Sequence, residues 1–302
     1  MTRYKVGGVS LVDTPIMIGA GAAKTPAMTE KWLKVTATVS GSYVKGGLAG
    51  NEGKVLYPES EEVFRALGRG FNWYGMPNIG NEKASKELSS IDVAYPLIVS
   101  IAGFSVDDYH AGIVAFRGNP NVSAIEMNLG CPNISGHGRI MSFDLDIQER
   151  LIQSDVVKKC QLPIWVKFSP YSDPMQLKEV ASIVNGSNIK AVVTCNTFPN
   201  AYAGKGNIDS ENSLAGMSGP ILADFSMGQL IQFRDHLDDE IDVINVGGIA
   251  TGNDIVERLD IGAAAVQLTS MPHWSDKPGE FWERLTSKKD GDRLNKFLTD
   301  NS

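Results

Sequence analysis

Asn128, Cys131 and Asn133 occupy one short segment of the chain, at the end of an apolar stretch that predicts a β-strand. Gly130 and Pro132 end the strand, so the two amides and the thiol are expected to share a small space beside its C-terminal end. Amides donate and accept hydrogen bonds without charge, which suits a neutral heterocycle, and a thiol can transfer a proton at moderate pH. The segment therefore predicts ligand binding together with proton transfer.

Two lysines lie in or beside apolar runs that predict buried strands. Lys167 stands within the run Trp165–Phe168, where a buried parallel strand is normally apolar throughout, so its charge requires an anionic partner. That partner is either an anionic ligand, such as a reduced cofactor or a phosphate, or a buried carboxylate, and the sequence leaves both open. Lys45 ends the second predicted strand, where it either faces a site or lies at an exposed edge.

Small residues and hydroxyl groups at several points of the chain favour a flat, phosphorylated ligand. Absent or tiny side chains let such a ligand approach the backbone, and amides after the last two strands of an α/β barrel commonly bind phosphate. The residues expected to contact it are Ala20, Gly21, Gly219, Gly247, Gly248, Thr269 and Ser270. Asn72 and Asn196 add two further amides, the first in a loop and the second at a predicted strand end.

Short apolar runs rich in β-branched residues alternate with amphipathic segments along most of the chain. The runs that predict strands are Ile16–Ala20, Tyr43–Gly46, Leu97–Ile101, Ala124–Leu129, Ile164–Phe168, Ala191–Asn196, Val243–Val246 and Ala264–Leu268. The segments that predict helices are Thr29–Val35, Asp107–Phe116, Phe143–Lys159, Pro174–Val184, Ser226–His236 and Asn253–Leu259. Eight strand–helix units predict a closed (β/α)8 barrel, the TIM-barrel fold of the α/β class.

Two long, glycine-rich connections interrupt this alternation, one at about 47–95 and the other at about 197–225. Because the loops after the strands build the site of a barrel, these insertions after the second and sixth strands predict its walls or lid. A terminal helical region, 279–298, is expected to pack on the barrel. The length suits a single barrel domain over residues 1–302.

Composition argues against several classes of function. A net charge of −7 and a pI near 5.2 speak against a nucleic-acid-binding protein, so a small-molecule substrate is expected. The 3 cysteines include no CxxC pair, which predicts neither a disulfide framework nor an iron–sulfur site and favours a reducing cytoplasm. The 4 histidines show no metal-ligand spacing, and no run of about 18 apolar residues indicates a membrane helix.

Three segments of the chain resemble the soluble, class 1 dihydroorotate dehydrogenases. They are Asn128–Asn133, preceded by Val99–Gly103 and followed by Val166–Pro170, in the family's order and at family-like spacing. The resemblance runs from about Val12 to about Trp282 and also includes residues 72–78, 196–197, 247–248 and 269–270. It implies a flavoprotein, in which a TIM barrel holds FMN and oxidises dihydroorotate to orotate in pyrimidine biosynthesis.

The resemblance also implies a role for each matching side chain. Cys131 would be the base that removes a proton from C5 of dihydroorotate, while hydride passes from C6 to flavin N5. Lys45 and Lys167 match the family's flavin-contacting lysines; Lys45 is counted with Cys131 as catalytic, and Lys167 would stabilise negative charge on the reduced ring. The residues that match the substrate site are Asn72, Asn128, Asn133, Asn196 and Thr197, with Asn128 also contacting the flavin.

The partners follow from the same resemblance. A homodimer is expected, with a soluble electron acceptor such as fumarate, since the chain shows neither cluster cysteines nor a membrane anchor. A partner subunit that carries an iron–sulfur cluster is the other option for the acceptor.

One region departs from the family pattern and leaves alternatives open. After Lys45 the family carries Ser or Thr and then an Asn-Pro-x-Pro-Arg stretch, whereas this chain has Gly46-Gly47 and then the sequence Asn-Glu-Gly-Lys at 51–54. A related dihydropyrimidine or another small ring compound is therefore an alternative substrate. The residues alone also allow a non-redox, phosphate-binding lyase or isomerase that uses Lys167, or a non-catalytic flavin-binding subunit.

Overall fold

The computed structural model describes residues 2–51, 56–58, 60–130, 141–203, 214–273 and 277–301. Its strands are β1 (Arg3–Val6), β2 (Val9–Val12), β3 (Ile16–Ala23), β4 (Ala37–Tyr43), β5 (Leu56–Tyr57), β6 (Gly70–Asn72), β7 (Leu97–Ile101), β8 (Val122–Asn128), β9 (Ile164–Lys167), β10 (Ile189–Thr194), β11 (Phe198–Tyr202), β12 (Leu214–Ser218), β13 (Asp242–Val246) and β14 (Ala265–Leu268).

Its helices are α1 (Pro26–Trp32), α2 (Glu61–Leu67), α3 (Asn81–Leu88), α4 (Val106–Phe116), α5 (Leu145–Ile152), α6 (Asp155–Lys158), α7 (Pro174–Asn185), α8 (Ala223–His236), α9 (Gly252–Ile261), α10 (Ser270–His273), α11 (Pro278–Leu285) and α12 (Lys288–Asp300). The single helix predicted at 143–159 is two helices, because Ser154 starts α6 by accepting a hydrogen bond from the Val157 amide. No helix within the described ranges combines the length and the apolar character needed to span a bilayer.

Eight strands close into a barrel whose order around the wall is β10-β13-β14-β3-β4-β7-β8-β9. Each wall strand pairs in parallel with both of its neighbours. At least one helix follows each wall strand before the next begins, so the helices surround the sheet. The prediction of a (β/α)8 barrel is therefore confirmed.

Alternation along the wall strands separates two packing faces. Along β8, Ile125 and Met127 pack with the surrounding helices, whereas Ala124 packs with Trp165 inside the barrel. Trp165 is fully buried, and its indole Nε1 donates a 2.8 Å hydrogen bond to the carbonyl oxygen of Gly7, in the turn between β1 and β2. The β1–β2 hairpin thus covers the N-terminal end of the barrel and leaves the opposite end for a site.

The second wall strand lies earlier in the chain than the sequence predicts. Because β4 ends at Tyr43, the prediction of a strand at Tyr43–Gly46 is wrong. The polar residues of β4 explain the error: Ser40 is fully buried, and its Oγ lies 2.6 Å from Thr29 Oγ1 and 2.8 Å from the Tyr43 hydroxyl. Hydroxyl groups with hydrogen-bond partners can occupy a packed strand, which a pattern of hydrophobicity does not register.

Two connections between wall strands build a second, smaller sheet. The chain between β4 and β7 supplies β5 and β6, and the chain between β10 and α8 supplies β11 and β12. The strand order is β11-β12-β6-β5, and β12 pairs antiparallel with β6, where Gly216 lies opposite Asn72. This sheet brings together residues from two distant parts of the chain at the open end of the barrel.

Candidate functional site

A cavity lies between the C-terminal ends of the barrel strands and the loops that follow them. The residues singled out in the sequence that line it are Ala20, Gly21, Asn72, Asn128, Lys167, Asn196, Thr197, Gly219, Gly247, Gly248, Thr269 and Ser270. Cys131 and Asn133 lie outside the described residues. The barrel therefore gathers in one place side chains that the sequence separates by up to about 250 positions.

Asn128, the last residue of β8, holds the centre of an amide network. Its Nδ2 donates to Ser42 Oγ at 2.9 Å, and its Oδ1 accepts from Asn196 Nδ2 at 2.9 Å and from the Gly130 amide at 3.2 Å. Its backbone carbonyl accepts from the Tyr109 hydroxyl at 2.8 Å. Partners on every polar atom of Asn128 fix its orientation, so the cavity presents oriented hydrogen-bonding groups to a ligand.

Lys167 is almost fully buried at the base of the cavity, in a polar layer made by three strands. Its Nζ lies 3.4 Å from Gln267 Oε1 and 3.9 Å from Glu126 Oε1, while Gln267 Nε2 donates to Glu126 Oε2 at 2.7 Å. The sequence left open whether a ligand or a carboxylate would balance this lysine. The carboxylate is present, and Lys167 also lines the cavity. The signal missed in the sequence was Glu126 itself, an acidic residue inside an apolar run.

The ends of β13 and β14 offer a place for a phosphate. Gly247 and Gly248 have φ angles of 112° and 76°, and a Cβ on Gly248 would lie 2.3 Å from Ala223 Cα, so a side chain does not fit there. The Thr269 hydroxyl oxygen is buried and has no hydrogen-bond partner among the described residues. A buried hydroxyl without a partner is unfavourable, so a ligand that accepts from Thr269 would stabilise this end of the cavity.

Lys24, Tyr74 and His273 form a cluster that the sequence did not indicate. Lys24 follows β3, and its Nζ lies 3.0 Å from the centroid of the Tyr74 ring. The Tyr74 hydroxyl lies 2.6 Å from His273 Nε2. All three residues line the cavity. They come from three separate parts of the chain, and the local signal was limited to a lysine after the small residues 19–23.

Burial sets the charge of this cluster. It lowers the pKa of Lys24 to about 8 and raises the pKa of Tyr74 to about 12. It also lowers the pKa of His273 to about 4, and the charge of Lys24 adds to that effect. At neutral pH Tyr74 and His273 are therefore uncharged and Lys24 is cationic. Among the described residues Lys24 has no carboxylate partner, so its charge is available to an anion in the cavity.

Lys45 lies away from this cavity. Its side chain is exposed, and it is not among the lining residues. The end of β4 reaches the cavity through Gly41 and Ser42 instead. Gly41 has a φ of 117°, and a Cβ there would lie 2.6 Å from the carbonyl oxygen of Ser100. The prediction that Lys45 ends the second strand is wrong, because that strand ends at Tyr43.

The other described residues give little support to metal-dependent chemistry or to catalysis by a nucleophilic cysteine at Cys195. In the described part of the chain no group of at least 3 His, Cys, Asp or Glu side chains could hold a metal ion. Cys195 lines the cavity, but burial raises the pKa of its thiol to about 12. The thiol of Cys195 is therefore protonated at neutral pH and is a poor nucleophile there.

Comparison with known proteins identifies relatives and similar folds. The family model described as "Dihydroorotate dehydrogenase" matches residues 1–279. The dihydroorotate dehydrogenase A (fumarate) of Limosilactobacillus reuteri is 29% identical over 201 residues, 65% of each chain. The enzyme of the same name from Lacticaseibacillus paracasei is 28% identical over 237 residues, 76% of each chain. The crystal structure of DHODH in complex with ferulenol from Eimeria tenella matches with a TM-score of 0.77 at 18% identity, over 99% of this chain and 86% of that one, which is a likeness of fold.

Proposed function

The chain belongs to the dihydroorotate dehydrogenase family, whose members are flavin-dependent dehydrogenases, and on that premise we propose that it oxidises dihydroorotate to orotate with FMN as its cofactor. The observation that carries the proposal is one cavity that joins the buried Lys167, the oriented amides of Asn128 and Asn196, and the Thr269 hydroxyl, which has no hydrogen-bond partner in the described part of the chain. A Schiff-base role for Lys167 has less support, because Gln267 and Glu126 already surround its Nζ, at 3.4 Å and 3.9 Å.

FMN suits the groups that line the cavity. Gly247, Gly248 and Thr269 would hold its phosphate, and Lys167 with Asn128 would contact its ring. When bound, FMN supplies the acceptor for a hydride. The ammonium of Lys167 would stabilise the negative charge that a reduced ring carries, and this effect is strong because Lys167 is shielded from water.

The oxidation removes a proton and a hydride from two adjacent carbons of the substrate ring. In the proposal, Cys131 would take the proton from C5, and bound FMN would supply, at its N5, the acceptor for the hydride of C6. The residues that would hold the substrate are Asn72, Asn128, Asn133, Asn196 and Thr197. A soluble acceptor such as fumarate, which the names of the two relatives carry, would then remove the two electrons.

Lys24 is the reason to favour an anionic substrate. Dihydroorotate carries a carboxylate that dihydrouracil lacks, and a charge-assisted hydrogen bond to an ammonium is stronger than a neutral one. The contact with the ring of Tyr74, whose hydroxyl is held by His273, keeps the ammonium of Lys24 at the cavity wall. The proposal therefore assigns to Lys24 a contact with the substrate carboxylate that the sequence did not indicate, whereas the flavin contact expected of Lys45 stays a prediction.

The affinity for orotate is expected to fall as the pH rises through the pKa of Lys24, which burial lowers to about 8. The ammonium is present at neutral pH and is lost above that value, so the attraction for the carboxylate is lost in the same direction. The dissociation constant, read from the flavin spectrum between about pH 6 and pH 10, should rise in the alkaline half for the unaltered protein. In Lys24→Met it should be high and unchanging, and a flat profile in the unaltered protein would contradict the assignment.

The direct test is anaerobic reduction of the purified protein. We expect a yellow protein with one FMN per chain, bleached by dihydroorotate and restored by fumarate, with dihydrouracil giving little bleaching. A folded, colourless protein that cannot take up FMN would overturn the proposal. Bleaching by dihydrouracil instead of dihydroorotate would identify a related dihydropyrimidine as the substrate, and a flavin that neither compound reduces would indicate a non-catalytic subunit.

A homodimer and a cytoplasmic location complete the proposal as family expectations. Sedimentation of the purified protein tests the first of these. The same experiment with a cell extract tests for a partner subunit that carries an iron–sulfur cluster.

A further inference from the structure

The acidic residue below the cavity carries an inference beyond the proposed function, although it rests on the proposed binding of FMN. Glu126 lies on β8, its side chain is 0% exposed, and it does not line the cavity. Alternate residues of a strand face the same side, so Glu126 points into the barrel one layer below Asn128. We propose that Glu126 is a positioning residue, which holds Lys167 at the base of the cavity and limits the positive charge that Lys167 presents to the flavin.

Glu126 reaches Lys167 by two routes. Gln267 bridges them, since its Nε2 donates to Glu126 Oε2 at 2.7 Å and its Oε1 lies 3.4 Å from Lys167 Nζ. The other carboxylate oxygen, Oε1, lies 3.9 Å from Nζ, which is too far for a hydrogen bond but close enough for charge attraction. Glu126 is thus held through Gln267 and acts on Lys167 mainly through its charge.

In the same geometry, some N–H donors of the Lys167 ammonium remain available to a ligand. An ammonium group has three N–H donors, and in the described chain Gln267 is the hydrogen-bond partner of Lys167. A carboxylate at 2.8 Å would engage one of these donors fully, whereas Glu126 at 3.9 Å compensates the charge and leaves the donors free to turn to the cavity. The arrangement places a negative charge near Lys167 and leaves its donors able to bind a ligand.

Stability alone does not account for this network. A buried ion pair usually contributes no more to stability than well-packed apolar residues of similar size, because both ions lose their hydration. Glu126 Oε1 also lacks a hydrogen-bond partner among the described residues, which adds to the cost. A role towards the ligand of Lys167 explains why a carboxylate stands at this depth in the barrel.

Removing the charge of Glu126 should change the midpoint potential of a bound flavin in one direction. Glu126 and Lys167 together carry no net charge, so a flavin above them meets a partly compensated cation. Replacing Glu126 by glutamine keeps the size of the side chain and one oxygen that can accept from Gln267, but removes the negative charge. The anionic reduced flavin is then stabilised more strongly than the neutral oxidised one, and the midpoint potential should rise.

The test is the midpoint potential of the FMN-loaded protein, measured against reference dyes. Glu126→Gln is expected to have a higher potential than the unaltered protein. The matched control is Glu179→Gln, which removes the same charge from an exposed position on α7 and is expected to leave the potential unchanged. A folded, flavin-loaded Glu126→Gln variant with the potential of the unaltered protein would overturn the inference.

A second variant covers the case in which Glu126→Gln does not fold. Glu126→Asp keeps the charge but withdraws it by one methylene from Lys167, so a smaller rise in potential is expected. An unchanged or lower potential in Glu126→Asp would also overturn the inference. Failure of the unaltered protein to bind FMN would count against the proposed function instead, so the two failures are distinguishable.

Discussion

Lys24→Met is expected to lower kcat/KM for dihydroorotate by about 10- to 150-fold, mainly through weaker binding. This range corresponds to the roughly 1.5–3 kcal/mol that a hydrogen bond to a charged group contributes. Methionine keeps an unbranched apolar stem and removes the charge, so contact with the Tyr74 ring is largely retained. Steady-state kinetics and the dissociation constant of orotate measure the effect.

Lys45→Met is the matched control for that change. It removes the same charge from an exposed side chain outside the cavity, so its effect on kcat/KM should stay within about 2-fold, as for most surface substitutions. The opposite result, a large loss for Lys45→Met with normal binding in Lys24→Met, would restore the sequence-based assignment and refute the one made from the structure.

Cys131→Ser is expected to slow the reduction of bound flavin by dihydroorotate by about 10²- to 10⁴-fold at neutral pH, the range that general-base catalysis usually contributes. A hydroxyl group is a much weaker acid than a thiol, so less of the deprotonated base is available. The rate should recover partly as the pH rises. Anaerobic stopped-flow absorbance follows the single turnover without interference from the electron acceptor.

Cys160→Ser is the matched control, because it makes the same Cys-to-Ser exchange at a position outside the cavity. Cys160 is buried, 8% exposed, and lies between α6 and β9, away from the cavity-lining residues. The same exchange of sulfur for oxygen there should leave the reduction rate unchanged, even if it lowers the thermal stability. Normal flavin reduction by Cys131→Ser would remove Cys131 from the mechanism.

The fold was predictable because its signal is local and repeated. Runs such as Leu97–Ile101 are apolar and β-branched, and each lies between segments with helical periodicity, so the barrel follows from the order of elements. The exception is β4, where Ser40 is buried against two hydroxyl partners, Thr29 on α1 and Tyr43 at the end of the same strand. A strand whose burial depends on such partners is visible only after folding.

Some residues of the candidate site were likewise predictable from the sequence, and others were not. Asn128, Lys167 and Gly248 were recognisable because each follows or ends an apolar run, and strand ends converge in a barrel. The cluster of Lys24 with Tyr74 was not, because it joins the turn after β3 to the connection between β4 and β7. Contacts between loops produce no periodic pattern in the sequence. Here such a contact places Lys24 at the cavity wall.

The backbone at Gly41 restricts the side chains that this position can carry. A lysine at position 41 would need the unfavourable φ of 117°, and its Cβ would lie 2.6 Å from the Ser100 carbonyl oxygen. A larger residue in place of Gly41 is therefore expected to shift the end of β4, where Gly41 and Ser42 line the cavity.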